Sequence, residues 1–186
     1  MPHVLEPAST GRAKCRGCGQ AIARGELRLG ERFENSFGEG EMTIWFHPLC
    51  AAYKRPASLL EALQQTAENV PDRDALERAA NGSTTFPRLT RIDGAERSPS
   101  GQAKCRLCHQ LIARDVWRVR LVFFEQGVFS PGGFVHLDCR NAYFETADIL
   151  APLLHFSPKL SEEDREELTR ACAAASIAPS PASDPS

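Results

Sequence analysis

The sequence predicts an α+β protein built of two small, similar modules, and three observations carry that reading. The pattern Cys15-x-x-Cys18 … His47-x-x-Cys50 returns as Cys105-x-x-Cys108 … His136-x-x-Cys139, with corresponding residues 90, 90, 89 and 89 positions apart. The residues around it repeat as well: 11–24 and 101–114 are identical at ten of fourteen positions. Such self-similarity marks an internal duplication, so both halves are expected to share one fold. Finally, each copy runs from short strand-like segments into helical ones, the sequence of a small antiparallel sheet with a few helices.

The elements follow in order. Residues 1–10 read as a flexible arm, 11–80 as the first module, 81–100 as a linker rich in turn formers, 101–175 as the second module, and 176–186 as a disordered tail. In each module a Cys-x-x-Cys knuckle precedes a strand, over 26–30 and 116–121. A second strand then enters the histidine, over 43–46 and 133–135. A helix is expected to start near Cys50 and near Cys139. Closing helices are expected over 72–80 and 161–175, the latter with Ser161 as its N-cap.

The duplicated residues are metal ligands by type and spacing. Three thiolates and one imidazole complete a tetrahedral set with no open position, which is the arrangement of a structural zinc. Two zinc ions are therefore expected, one on Cys15, Cys18, His47 and Cys50, the other on Cys105, Cys108, His136 and Cys139. Modules this small commonly need such a staple. Six of the seven cysteines fall in the two motifs, which argues against a disulfide framework. The N-terminus lacks a basic start and an apolar run, and no stretch approaches the roughly 20 apolar residues of a membrane span. An intracellular, reducing location is expected: a bacterial nucleoid region, or a nucleus in a eukaryote.

The net charge of −2 over 186 residues conceals a segregation. Between 11 and 33, six cations (Arg12, Lys14, Arg16, Arg24, Arg28, Arg32) stand against two acids. Between 101 and 124, five (Lys104, Arg106, Arg114, Arg118, Arg120) stand against one. The final 26 residues hold six acids and two arginines. Local patches decide where a phosphate chain settles, so the near-neutral total does not exclude nucleic acid.

The run Arg12-Ala-Lys-Cys15-Arg-Gly-Cys18, then Gly25-Glu-Leu-Arg28-Leu-Gly30, then Trp45-Phe46-His47-Pro48-Leu49-Cys50 resembles the zinc finger of poly(ADP-ribose) polymerases, which a vertebrate DNA ligase also carries. The resemblance covers both modules, and in the second it is weaker. It implies recognition of DNA strand breaks without reading of base sequence. It places phosphate-binding cations at Arg12 and Arg28. Arg118 repeats Arg28, whereas Gln102 stands in place of Arg12, so unequal fingers are expected. Lys14, Arg16, Lys104, Arg106 and Arg120 add charge beside them. The same resemblance places an apolar tip ahead of each histidine, at Phe37 and Met42 and at Val128 and Phe129. A bared base face needs such a cap, and capping is indifferent to sequence.

The expected function is thus a DNA-break sensor or adaptor, monomeric and non-enzymatic, working with a ligase or end-processing enzyme. A second reading is a zinc-stabilised protein-interaction module whose acidic closing helix recruits a partner. A zinc or thiol enzyme is disfavoured, because every ligand position is filled and no general base accompanies the set.

Overall fold

The computed structural model describes residues 2–34 and 40–174. Its first sheet has three antiparallel strands in the order β1 (Val4–Pro7), β2 (Leu27–Glu34), β3 (Glu41–Phe46). Three helices follow: α1 (Pro48–Lys54), α2 (Pro56–Gln65) and α3 (Arg73–Thr85). A second three-stranded sheet has the order β4 (Ile92–Arg97), β5 (Trp117–Glu125), β6 (Val128–His136). After it come α4 (Arg140–Phe144), α5 (Leu150–His155) and α6 (Glu162–Ala174). The architecture is α+β, with two sheets and two ligand clusters.

Two of these strands lie where the sequence suggested no regular structure. β1 occupies the expected arm, and β4 the expected linker. Neither has a long enough alternation to be read alone; each forms because the strand after the knuckle offers it an unpaired edge. Leu5 is held opposite Leu29, and Glu6 opposite Arg28. The two edge strands are themselves repeats. The Ala8 N–H donates to Glu26 O at 2.8 Å, and the Ser98 N–H to Val116 O at 2.9 Å. The duplication therefore begins before residue 11.

Like α5, helix α2 is a further addition. Pro56 opens it, and Leu59, Ala62 and Leu63 form its buried stripe. Helix α3 runs five residues past the expected end. The Ser161 cap is in place: its Oγ accepts the Asp164 N–H at 3.1 Å.

The chain divides into two compact units, Met1–Ile92 with Leu121–Gly132, and Asp93–Arg120 with Gly133–Ser186. In the first, Ile22, Leu29, Phe46, Leu59 and Leu63 are fully buried. The segment contributed by 121–132 packs there through aromatic rings. Phe124 lies 6.1 Å from Phe33, and Phe129 meets Phe46 edge-on at 6.4 Å. Beneath them the carboxylate of Glu31, 1% exposed, accepts from Arg55 Nε at 2.8 and 2.9 Å and from Ser58 Oγ at 2.6 Å. The Arg55 guanidinium lies 4.0 Å over the Phe124 ring. In the second unit, Ile112, Val119, Val135, Phe144, Leu153 and Leu168 form the core. Arg140, fully buried, bridges the carbonyls of Leu137 and Cys172 and so ties α6 to the metal-binding segment.

Candidate metal centres and nucleic-acid interface

Each ligand set is assembled by a tight knuckle and the end of a strand. In the first, the Cys15 N–H donates to Gln20 O at 2.8 Å and the Gly19 N–H to Cys15 O at 2.8 Å, closing the turn round Cys18. The Arg16 N–H then donates to Trp45 O at 2.8 Å, which pins the knuckle to β3 and its histidine. The second copy reproduces these bonds through Cys105, His109 and Arg106. Pro48 starts α1 directly after His47, so Cys50 returns to the cluster within one turn.

Cys15, Cys18, His47 and Cys50 place one ligand atom each within 4.8 Å of one another, and so do Cys105, Cys108, His136 and Cys139. Zn–S bonds of about 2.3 Å and Zn–N bonds of about 2.0 Å in a tetrahedron set sulfur and nitrogen about 3.5 Å apart. Here Cys18 Sγ is 3.4 Å from His47 Nδ1, while Cys108 and Cys139 Sγ are 3.4 and 3.9 Å from His136 Nδ1. The donor sets fit zinc, with Nδ1 as the ligand nitrogen in both.

Protonation points the same way. Hydrogen bonding with Cys50 pushes the Cys18 thiol down to about 4 and Cys15 to about 7. Cys50 is driven up in turn by its bonds to those two sulfurs. At the second centre, burial resists ionisation of Cys105, yet the backbone N–H groups of Cys108, His136 and Leu107 bring it down to about 6. Burial and the charge on Cys105 push Cys139 up to about 12. Each cluster thus ionises some thiols and holds another protonated, until a divalent cation pays for the last charge. Zinc there would supply structure: it crosslinks knuckle, strand and helix, with no position left for a reacting group.

The expected phosphate-binding cations separate into two groups. Arg12, Lys14, Arg16, Lys104 and Arg106 are exposed on the knuckles. Arg28 and Arg118 are 7% and 5% exposed. Arg28 Nη2 donates to Glu6 Oε1 at 2.7 Å, and Arg118 Nε to Glu96 Oε1 at 2.9 Å. Arg120 is likewise engaged, donating from Nη2 to Asp93 O at 2.6 Å. A pocket of about 370 Å³ beside the first knuckle is lined by Lys14, Arg16, Thr43, Ile44 and Trp45. Exposed cations, an aromatic edge and the first zinc centre meet there.

The expected base-capping residues divide too. Phe37 lies outside the described residues. Met42 is half-buried on β3, opposite Phe33. Val128 is 51% exposed. Phe129 is packed: its ring is 4.7 Å from that of Phe124, with Lys54 Nζ 5.2 Å from its centroid.

Three carboxylates at these centres went unnoticed in the sequence. Glu6 and Glu96 each stand 22 positions ahead of the arginine they bind, a repeat offset that was legible once the duplication was extended upstream. Glu26 Oε1 lies 3.6 Å from His47 Nε2 and has Val116 as its counterpart, so no repeat signal marked it.

Comparison with known proteins agrees with this geometry. The model of the "Poly(ADP-ribose) polymerase and DNA-Ligase Zn-finger region" matches residues 6–82. The match to this zinc-finger family spans the whole of the first module. The match begins at the Glu6 strand, upstream of the knuckle. The second module carries the same ligand order and sheet, making the pair a tandem. A poly(ADP-ribose) polymerase of Drosophila melanogaster is 27% identical over 157 residues, 75% of this chain and 16% of that protein. Poly(ADP-ribose) polymerase 1 of Gallus gallus is 26% identical over 198 residues, 91% and 19% of the two chains. The polynucleotide 3'-phosphatase ZDP of Arabidopsis thaliana is 26% identical over 195 residues, 90% and 28%. The chain thus spans less than a third of the length of each of these relatives. Among the described residues, no helix is long and apolar enough to cross a membrane.

Proposed function

We propose that this tandem binds DNA at strand breaks without reading base sequence, as a sensor or adaptor rather than as a catalyst. The observation that carries the reading is the exposed set Arg12, Lys14 and Arg16 on the first knuckle, beside the Trp45 pocket, within the segment that matches the finger family. Cations on a metal-rigidified turn hold phosphates at fixed spacing, which supplies position and most of the affinity. The relatives' names include a polynucleotide 3'-phosphatase, an activity exercised at strand ends, which favours discontinuities over intact duplex. Both Cys3His sets are closed, so the zinc ions organise a surface and leave the chemistry of repair to a partner such as a ligase or end-processing enzyme.

The phosphate-facing group is Arg12, Lys14 and Arg16 in the first finger and Lys104 and Arg106 in the second. Without a counterpart for Arg12, the second finger contributes less. Val128, on the segment 121–132 that belongs to the first compact unit, is an exposed apolar side chain suited to a bared base. A titration at one salt concentration across intact, nicked, gapped and blunt-ended duplexes tests the proposal. Tighter binding to a discontinuity is the expected result; equal affinity for intact and nicked DNA overturns it.

A further inference from the structure

The two metal centres share their ligands but differ in what stands behind the histidine. Around His47, Nδ1 faces the thiolates and Nε2 lies 3.6 Å from Glu26 Oε1. The other oxygen of Glu26 accepts the Ala23 N–H at 2.9 Å, which holds the carboxylate in place. At the equivalent position stands Val116, 42% exposed, which offers no acceptor. His136 Nε2 turns instead to the carbonyl oxygen of Leu111 at 3.2 Å. A carboxylate draws on the imidazole N–H more strongly than a neutral carbonyl does, and so makes Nδ1 the better donor to a metal.

Two further differences act in the same direction. Cys18 is half-buried and Cys50 fully buried, whereas Cys108 is exposed and Cys139 half-buried. Water and competing ligands therefore reach the second centre more readily. The first knuckle turns through Gly19 at φ +74°, the second through His109 at φ +60°. A side chain in the left-handed region strains the turn that holds Cys108, and glycine does not.

We propose that the second centre holds zinc more weakly than the first and empties first, and that Glu26 is the outer-shell positioning residue that sets much of the difference. The protein would then have one permanently closed finger and one whose folding follows the supply of zinc. The inference concerns the metal alone and stands whether or not the fingers bind DNA.

Its test uses the full chain loaded with two zinc ions and titrated with a metal-buffered chelator. Bound metal is counted by intact-protein mass spectrometry, and hydrogen exchange locates the loss. The expected result is two steps with dissociation constants at least about tenfold apart, the size of effect outer-shell partners usually exert. Exchange protection should be lost over 101–120 and 133–139 in the first step and over 11–50 only in the second. Glu26→Val should draw the second step towards the first. Val116→Glu, at an exposed position that tolerates the change, should tighten the weaker site. Loss of both ions in one step, or loss of protection over 11–50 first, overturns the ranking. Unchanged steps in both variants overturn the role of Glu26.

Discussion

The guanidinium of Arg28 lies 3.5 Å from the ring centroid of Trp45, and Glu6 closes its far edge. The second finger repeats the sandwich with Arg118 at 3.6 Å over Phe134 and Glu96 at the edge. A cation set against a π face and a carboxylate is stabilised where it stands, although the buried Nε of Arg28 has no hydrogen-bond partner among the described residues. These arginines hold the sheet together in this arrangement, while those on the knuckles face solvent.

That division gives a double prediction. Arg28→Ala should lower stability by about 2 kcal/mol, below the usual range for a buried pair because Glu6 is partly exposed. Arg16→Ala should change stability by less than about 0.5 kcal/mol. Urea denaturation of the zinc-loaded variants checks both. A neutral Arg28 substitution would show that the sandwich is not structural.

The knuckle cations should govern salt dependence. On intact B-form duplex each phosphate contact contributes about 0.9 to the slope of log affinity against log salt. Replacing Arg12, Lys14 and Arg16 together by glutamine should reduce the slope by about 2 to 3. The same change at Lys104 and Arg106 should reduce it by less than about 2. Affinity titrations at several salt concentrations measure this directly.

Gly30 faces the Trp45 ring. A Cβ there would lie 2.7 Å from a ring carbon and 2.9 Å from Val4 Cγ1. Gly30→Ala should therefore cost about 1–3 kcal/mol, because overpacking forces the ring and β1 to shift. A blue-shift or broadening of the Trp45 emission should accompany the lower melting temperature.

Arg140→Met keeps the bulk and removes the donors. The carbonyls of Leu137 and Cys172 would lose their partner, at a cost of about 3 kcal/mol in all. Hydrogen exchange should locate the loosening in α6.

Thiol labelling offers a check on metal occupancy. Zinc should protect the six ligand cysteines, and chelation should release them to a thiol reagent. Burial raises the Cys172 thiol, so its thiolate is scarce at neutral pH. Cys172 should react only when α6 unpacks, later than Cys18 or Cys108. Early labelling of Cys172 would contradict its place on the buried face of α6.

Much of this was legible in the sequence because metal ligation is local and chemically distinctive. Cys15, Cys18, His47 and Cys50 announce their geometry by type and spacing alone. Strand β1 was not legible, because four residues carry no period and its partner lies 22 positions away. The neighbours of Arg28 and Phe129 were hidden for a related reason. Whether a cation meets phosphate or a glutamate, and whether a ring meets a base or another ring, depends on distant segments such as those bearing Glu6 and Phe46. Residue type states what a side chain can do; only the fold states what it already touches.

The segment 121–132 has a practical consequence. Phe124 and Phe129 belong to the same compact unit as Phe33 and Phe46, although the repeat boundary falls between them in the chain. A fragment ending near residue 100 would carry a whole first ligand set and an incomplete aromatic cluster. Genetic duplication and physical closure therefore draw their borders in different places, and a cut made at the first would open the second.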